Sequence, residues 1–373
     1  MKKYFDNLSL RIGALSLMLM ALATSCVSES DQPKTKPAET EKLNVFVVNS
    51  GNFGKGNASL DLYLPSTKTQ RHEIFLNTNG TKLGDVAQSA SLFGNSLYVV
   101  VGNSNVIYRL DPMTHKRTGQ MDIESPRYIY FVSAEKAYVS HLGSGDITVI
   151  NPKSMNTIGK ITTYQSGNKE AKKYDLSTER WLKADNTHVL VSCWSNNSKV
   201  LLIDTTQDKV VKEIEVGLQP KSMGMDQNGK VWVLCEGQSW KGTNPCIWTI
   251  DTKNNYAAAQ VGGEIQKLPY LKYAATSDLV MNLTRDAFYY FNAPHIYKMS
   301  ITDKEIPTTP FIAIPENCNT YSLAVAPNGE LYIGDAKDYQ QGGTVYRFCC
   351  EGKQIDKFEV GLLPIDYVFY FKR

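Results

Sequence analysis

Beyond residue 43, apolar and polar positions alternate with a period of two, in runs of about five to seven residues. The pattern is clearest between Tyr108 and Val139. One run ends in Leu110-Asp111-Pro112, and Met113 to Lys116 form a polar turn. Thr118 to Ile123 make a second run, and Ser125-Pro126 turn the chain into Arg127 to Val132. Ala137-Tyr138-Val139 then opens another. Each run has the length of a strand, and the breaks have the composition of tight turns.

The same order returns along the chain. Strand ends matching Leu110-Asp111-Pro112 stand at Tyr63-Leu64-Pro65, Ile150-Asn151-Pro152, Ile203-Asp204-Thr205 and Ile250-Asp251-Thr252, with weaker ones at Met299-Ser300-Ile301 and Phe348-Cys349-Cys350. Runs matching Ala137-Tyr138-Val139 stand at Val45, Leu97, Val189, Val231, Leu279 and Leu331. The spacing is roughly 40 to 53 residues, the range of propeller repeats with a few long loops. One four-stranded sheet has two edges and little core. Seven arranged radially bury one another's faces. The expected fold is therefore all-β, a seven-bladed β-propeller over 43–373. Pro364 to Phe371 resembles an inner strand without a partner, and Leu43 to Val48 begins at a second strand. The ring is expected to close by pairing the C-terminal strand with the N-terminal strands.

The N-terminal region reads differently. Lys2, Lys3 and Arg11 flank an apolar run, Ile12 to Ala23, too short for a good membrane span. Small residues then precede Cys26. Residues 1–26 are expected to be a lipoprotein signal peptide with Cys26 lipidated, and 27–42 a flexible tether, polar and proline-bearing.

Charge and chemistry narrow the function. The net charge of +3 and the lack of a basic stripe exclude a nucleic-acid surface. His72, His115, His141, His188 and His295 are scattered, with no metal-ligand spacing, and no nucleophile elbow or phosphate loop is present. No metal and no catalytic residue is expected, although Asp85, Asp338 and Asp366 could approach one another near the axis. Besides Cys26, six cysteines remain. Cys235 and Cys246 flank one long loop on neighbouring strands and are the preferred disulfide pair.

The turns before each inner strand and those between second and third strands fall on one face. Candidate ligand contacts there are Asn52, Phe53, Asp85, Gln88, Asn103, Arg127, Tyr128, His141, Arg180, Trp194, Asn196, Lys221, Trp240, Tyr321 and Tyr339. Arg180 and Trp181 read as part of a long insertion. Aromatic rings with amides suit a large ligand with a polar edge. Trp181 and Trp232 read better as plugs between blades.

Val47-Val48-Asn49-Ser50-Gly51-Asn52-Phe53-Gly54, Leu83-Gly84-Asp85-Val86-Ala87-Gln88-Ser89 and Ser125-Pro126-Arg127-Tyr128-Ile129 carry a more specific signal. Together with the repeats, they resemble YncE-like propellers, and in particular bacteroidete surface lipoproteins that accompany outer-membrane TonB-dependent transporters. The acidic Ser28-Glu29-Ser30-Asp31 after Cys26 resembles their surface-export signal. The resemblance implies a non-enzymatic, lipid-anchored protein on the outer face of the outer membrane. It would capture cobalamin or another corrinoid and hand it to such a transporter. Haem or siderophore cargo, a propeller lyase or hydrolase, and a protein-interaction module are the other readings.

Overall fold

The computed structural model describes residues 43–163, 177–238, 241–266, 276–315 and 317–372. The expected signal peptide, Cys26, the tether and Trp240 lie outside them. Blade 1 contains β1 (Leu43–Asn49), β2 (Ser59–Leu64) and β3 (Thr69–Arg71), and the short helix α1 (Ile74–Asn79) leads to blade 2. Blade 2 runs through β4 (Ala87–Phe93), β5 (Ser96–Val101), β6 (Val106–Leu110) and β7 (Arg117–Asp122). Blade 3 has β8 (Pro126–Ser133), β9 (Lys136–His141), β10 (Asp146–Asn151) and β11 (Asn156–Thr162). Blade 4 has β12 (Thr178–Lys183), β13 (His188–Cys193), β14 (Lys199–Asp204) and β15 (Lys209–Glu215). Blade 5 has β16 (Pro220–Met225), β17 (Lys230–Cys235), β18 (Cys246–Asp251) and β19 (Ala257–Glu264). Blade 6 has β20 (Thr276–Met281), β21 (Ala287–Asn292) and β22 (His295–Ser300). Blade 7 has β23 (Thr320–Val325), β24 (Leu331–Asp335), β25 (Thr344–Phe348) and β26 (Gln354–Glu359). The last strand, β27 (Pro364–Phe371), returns to blade 1.

Each sheet is antiparallel, and the strand orders are those of seven blades, one closed by β27 beside β1. The closing register runs from Leu43 opposite Phe371 to Asn49 opposite Pro364. The inner strands β4, β8, β12, β16, β20, β23 and β27 neighbour one another in succession and return to β4, which makes the ring. Blade 6 departs from the four-strand expectation. Among the described residues it has three strands, and the segment that follows meets β22 through an isolated bridge between Ile296 and Ile312 and through Phe311.

Burial explains the sequence pattern. Second strands lie between neighbouring blades, so both faces are covered. Val45, Phe46, Val47 and Val48 are all fully buried, as are Val99, Val100 and Val101. Outer strands reach water, and each of β7, β11, β15 and β26 keeps one deeply buried apolar residue: Met121, Ile161, Ile214 and Phe358. Phe358 stacks on Tyr63 of blade 1 at 3.8 Å between ring centroids, binding blade 7 to blade 1. Burying such a ring contributes about 2 kcal/mol.

The repeated Asp or Asn at the third-strand ends has a local cause. Asp111 Oδ1 accepts from the backbone N–H of Met113 (2.9 Å) and Thr114 (2.7 Å). Asn151 does the same for Lys153 and Ser154, and Asp204 for Thr206 and Gln207. Each caps a turn that continues through a left-handed residue: His115, Met155 or Asp208.

Candidate functional site at the blade axis

Every inner strand begins with a break in register. The shifts lie between Ala87 and Ser89, Pro126 and Ile129, Thr178 and Trp181, Pro220 and Ser222, Ser277 and Val280, and Thr320 and Ser322. In β27 the extra residue is Ile365, opposite the Val48–Asn49 step. A bulge adds an unpaired residue and re-aims its side chain. The residues so released include Gln88, Arg127, Tyr128, Glu179, Arg180, Lys221, Asp278 and Tyr321. The turn before the strand prepares the bulge in four blades: Val86, Ser125, Gln219 and Leu363 have φ of 56°, 44°, 58° and 60°. Their carbonyls then accept from the first residue after the second strand, in the pairs Gly102–Val86, Leu142–Ser125, Glu236–Gln219 and Ser50–Leu363. Trp194 makes the same bond to Ser177. Thus Trp194 and Glu236 hold equivalent positions in neighbouring blades.

The bulged side chains meet. Arg127 Nε and Nη2 donate to Glu179 Oε1 at 3.0 and 2.5 Å, and its Nη1 donates to Gln88 Oε1 at 2.5 Å. Gln88 Nε2 donates to the Tyr128 hydroxyl at 2.9 Å. Arg180 Nη2 donates to Asp278 Oδ1 at 2.8 Å, while its guanidinium lies 4.7 Å from the centre of the Tyr128 ring. Lys221 Nζ sits 4.4 Å from the centre of Trp194, whose indole N–H donates to Glu236 Oε2 at 2.7 Å. Asp366 Oδ2 accepts from Ala90 N at 3.0 Å. Six of the seven blades thus contribute a polar group, and Trp194 and Glu236 add to them. Solvent still reaches in: 27% of the Arg180 side-chain surface and 12% of that of Arg127 are accessible, whereas Glu179 has none.

Three cations and four carboxylates share this small volume, and their proton affinities diverge. Burial pushes the Asp366 carboxyl up to about 6, with the Arg180 charge pulling partly back. Burial also raises Glu236, against Lys221 and the Trp194 hydrogen bond. For Glu179 burial is again the largest influence, but Arg127, Lys221 and Arg180 together outweigh it and lower the acid. Lys221 is raised, because Glu179 and Glu236 outweigh its burial.

The remaining candidates surround this floor. Asn52 Nδ2 donates to the Tyr339 carbonyl at 3.0 Å, and Tyr339 meets Tyr321 edge-on at 6.0 Å. Asp85 Oδ2 accepts from Gly54 N (2.8 Å) and Asn103 Nδ2 (2.6 Å), which ties the first loop to the second. Asn196 Oδ1 accepts from Gln238 Nε2 at 2.7 Å. Phe53 stands out at 78% exposure.

Some expectations need correcting. Arg180 and Trp181 belong to the inner strand β12, not to an insertion. His141 is 5% exposed, and its ring is satisfied internally by the Glu124 carbonyl (2.6 Å) and Thr148 Oγ1 (2.8 Å). It borders a groove of about 190 Å³ with Asp146 and Lys160 rather than the axial floor. Of Asp85, Asp338 and Asp366, only Asp366 belongs to the axial group, and Asp338 caps its own loop through Gln340 N and Gln341 N. As expected, Trp181 packs on Tyr130 and Tyr138 of blade 3, and Trp232 packs on Phe288 of blade 6, so both fill gaps between blades. Cys235 and Cys246 are paired directly across β17 and β18 and are free thiols. Glu179, Glu236 and Asp278 escaped sequence reasoning. The signal was available: Ser177-Thr178-Glu179-Arg180 repeats the layout of Ser125-Pro126-Arg127-Tyr128.

Among the described residues no group of ligating side chains could hold a metal, and no helix is long and apolar enough to cross a membrane. Seven blades around a charged, aromatic floor define a β-propeller with its candidate site at the axis. The chain belongs to the family described as "Domain of unknown function (DUF5074)", whose pattern matches residues 44–360. Similar solved structures share the fold. A quinonprotein alcohol dehydrogenase-like protein from Bacteroides thetaiotaomicron is 18% identical, with 88% of this chain and 78% of that one covered and a TM-score of 0.68. The periplasmic gluconolactonase of Pseudomonas aeruginosa is 11% identical, with coverage of 88% and 99% and a TM-score of 0.63. A Lactobacillus plantarum protein is 14% identical, with coverage of 88% and 99% and a TM-score of 0.63. No curated protein sequence matches this chain.

Proposed function

We propose that this propeller captures a large amphipathic ligand of the corrinoid class and passes it to an outer-membrane TonB-dependent transporter. One observation carries the reading: Tyr128 and Trp194 gather at the axis with Gln88, Arg127 and Lys221, held in place by contacts among themselves, and Tyr321 meets Tyr339 edge-on in blade 7. A floor fixed before the ligand arrives loses little conformational freedom on binding. Exposed Phe53 supplies apolar surface at the edge. The lipoprotein-like N-terminus supports a tethered position beside a transporter, where effective concentration is high.

Gel filtration of the purified protein with cobalamin tests this. Visible absorbance co-eluting with the protein is expected, and a colourless peak overturns the reading. Haem and a ferric siderophore, run in parallel, identify other cargo. A hydrolase is the second reading, and Asp366, whose carboxyl burial pushes up to about 6, favours it, because an acid raised toward neutrality can act as a general acid. Turnover of a sugar lactone without a retained ligand would establish it.

A further inference from the structure

The axial floor holds a cation that its own acids do not use. Its carboxylates are already served: Glu179 by Arg127, Asp278 by Arg180 and Leu323 N, Asp366 by Ala90 N and Tyr367 N, and Glu236 by the Trp194 indole. Lys221 is left over. Among the described residues no carboxylate lies within ion-pair distance of its ammonium, which rests on Trp194 without a hydrogen bond to the protein. Lys221 is half-buried, and its nitrogen meets solvent. The Tyr321 hydroxyl is in the same state: its residue is half-buried, and the oxygen is open to solvent and unbonded within the protein. A ligand can reach both.

The open side of the floor is also the positive side. In both axial ion pairs the cation is nearer to water: Arg127 keeps 12% of its side-chain surface against none for Glu179, and Arg180 keeps 27% against 7% for Asp278. Lys221 and Arg127 crowd one ring, at 4.4 and 5.9 Å from the centre of Trp194. Like charges held this close repel, and an anion beside them relieves the repulsion. Tyr321 adjoins the same group. Burial raises its hydroxyl, and Lys221 is the charge that pulls it back most. An incoming ammonium would meet three cations, and a neutral group would leave Lys221 without a counter-charge. One cation lacks a carboxylate partner, so one negative charge matches it. We propose that the axial mouth recognises a single oxyanion on the ligand, a phosphate ester or a carboxylate, which accepts from Lys221 Nζ and the Tyr321 hydroxyl. This rests on the capture reading and names the group of the ligand that reaches the axis.

The test uses the whole protein labelled with ¹⁵N and follows the Trp194 indole signal, identified by its loss in Trp194→Phe. The probes are dimethyl phosphate, propionate, propionamide and propylammonium. Either anion should give a saturable shift, and the tighter of the two names the source as phosphate ester or carboxylate. Propionamide and propylammonium should bind about tenfold more weakly or worse. Lys221→Met should weaken the anions about tenfold or more, Lys221→Arg should keep most of the affinity, and Tyr321→Phe should cost about fivefold. Lys221 leaves no ion-pair partner behind, so its variants should fold. Thermal melts check this, and the wild-type series decides alone if they do not. No saturable shift with either anion, an equal affinity for propionamide, or wild-type anion binding by Lys221→Met overturns the proposal. Cobalamin, which carries one phosphodiester, separates the site from the capture reading. Equal binding of cobalamin by the wild type and Lys221→Met sinks the oxyanion site and leaves corrinoid capture standing. Saturation by either anion without any cobalamin binding sinks corrinoid capture and leaves the oxyanion site standing.

Discussion

Glu179 has no exposed surface, so its charge survives through Arg127, Lys221 and Arg180. Removing the nearest of these leaves a buried carboxylate underpaired, which costs about 3 kcal/mol. Arg127→Met should lower stability by that amount in urea unfolding, and adding Glu179→Gln should restore most of it. A loss below about 0.5 kcal/mol would mean that Lys221 and Arg180 suffice. Asp366 behaves in the opposite sense. Its carboxyl titrates near 6 when folded and at 3.8 when unfolded, so the folded state holds the extra proton between those values. Stability from this group is full below pH 3.8, falls as pH rises toward 6, and stays low above it. Asp366→Asn should therefore stabilise the protein at pH 7, by up to about 3 kcal/mol, and should have little effect at pH 4. Urea melts of both proteins at the two pH values check the sign. At this scale the sequence revealed Arg127, Lys221 and Tyr321, because each follows a recognisable turn. Glu179 and Asp278 stayed hidden because each follows a stretch that obscures the repeat phase, so their equivalence to Arg127 was not apparent.

Strands were legible because burial differs so sharply from second to outer position, and that difference is written directly in residue type. The bulges were not, since a register shift leaves no mark in alternation over only one or two residues. Blade 6 was misread for a related reason: the run at Leu279, expected to be a second strand, lies in the inner strand β20, and β21 is the second; Met299-Ser300 does end the third strand, but no fourth follows among the described residues. Blade 5 offers an element-scale test. Cys235 and Cys246 face each other across β17 and β18, at 0% and 8% exposure. Mild oxidation with diamide should join them, seen in mass spectrometry as loss of two hydrogens that Cys246→Ser abolishes. Two intact thiols after oxidation would show that the strand pair cannot bring the sulfurs together. Gly217 packs beside them: a Cβ there would meet Cys246 Sγ at 2.6 Å and Cys235 Cβ at 3.0 Å. Gly217→Ala should cost about 2 kcal/mol by overpacking, read as a lower urea midpoint.

Ring closure governs the molecule as a whole. β27 pairs with β1 along seven positions, and it also supplies Asp366 to the axis and Tyr367 to the contact with Ser322 of blade 7. Deleting residues 364–373 should leave blade 1 without its inner strand and open the ring. The expected result is loss of the single cooperative transition in calorimetry together with binding of a hydrophobic dye. A sharp transition retained near the original temperature would contradict closure by this strand. Closure was readable in the sequence because Pro364 to Phe371 looks like an inner strand, while the convergence of distant charges was not, being a product of seven separate turns.

Six of those bulges have a consequence for engineering. The residue that each one turns inward lies outside the ladder of paired positions, so its identity is uncoupled from strand alignment. Randomising positions 88, 127, 179, 221, 278 and 321 together, with charge kept in balance, should yield many folded clones of altered selectivity. The scaffold would then serve as a retargetable receptor whose specificity is set at six sites.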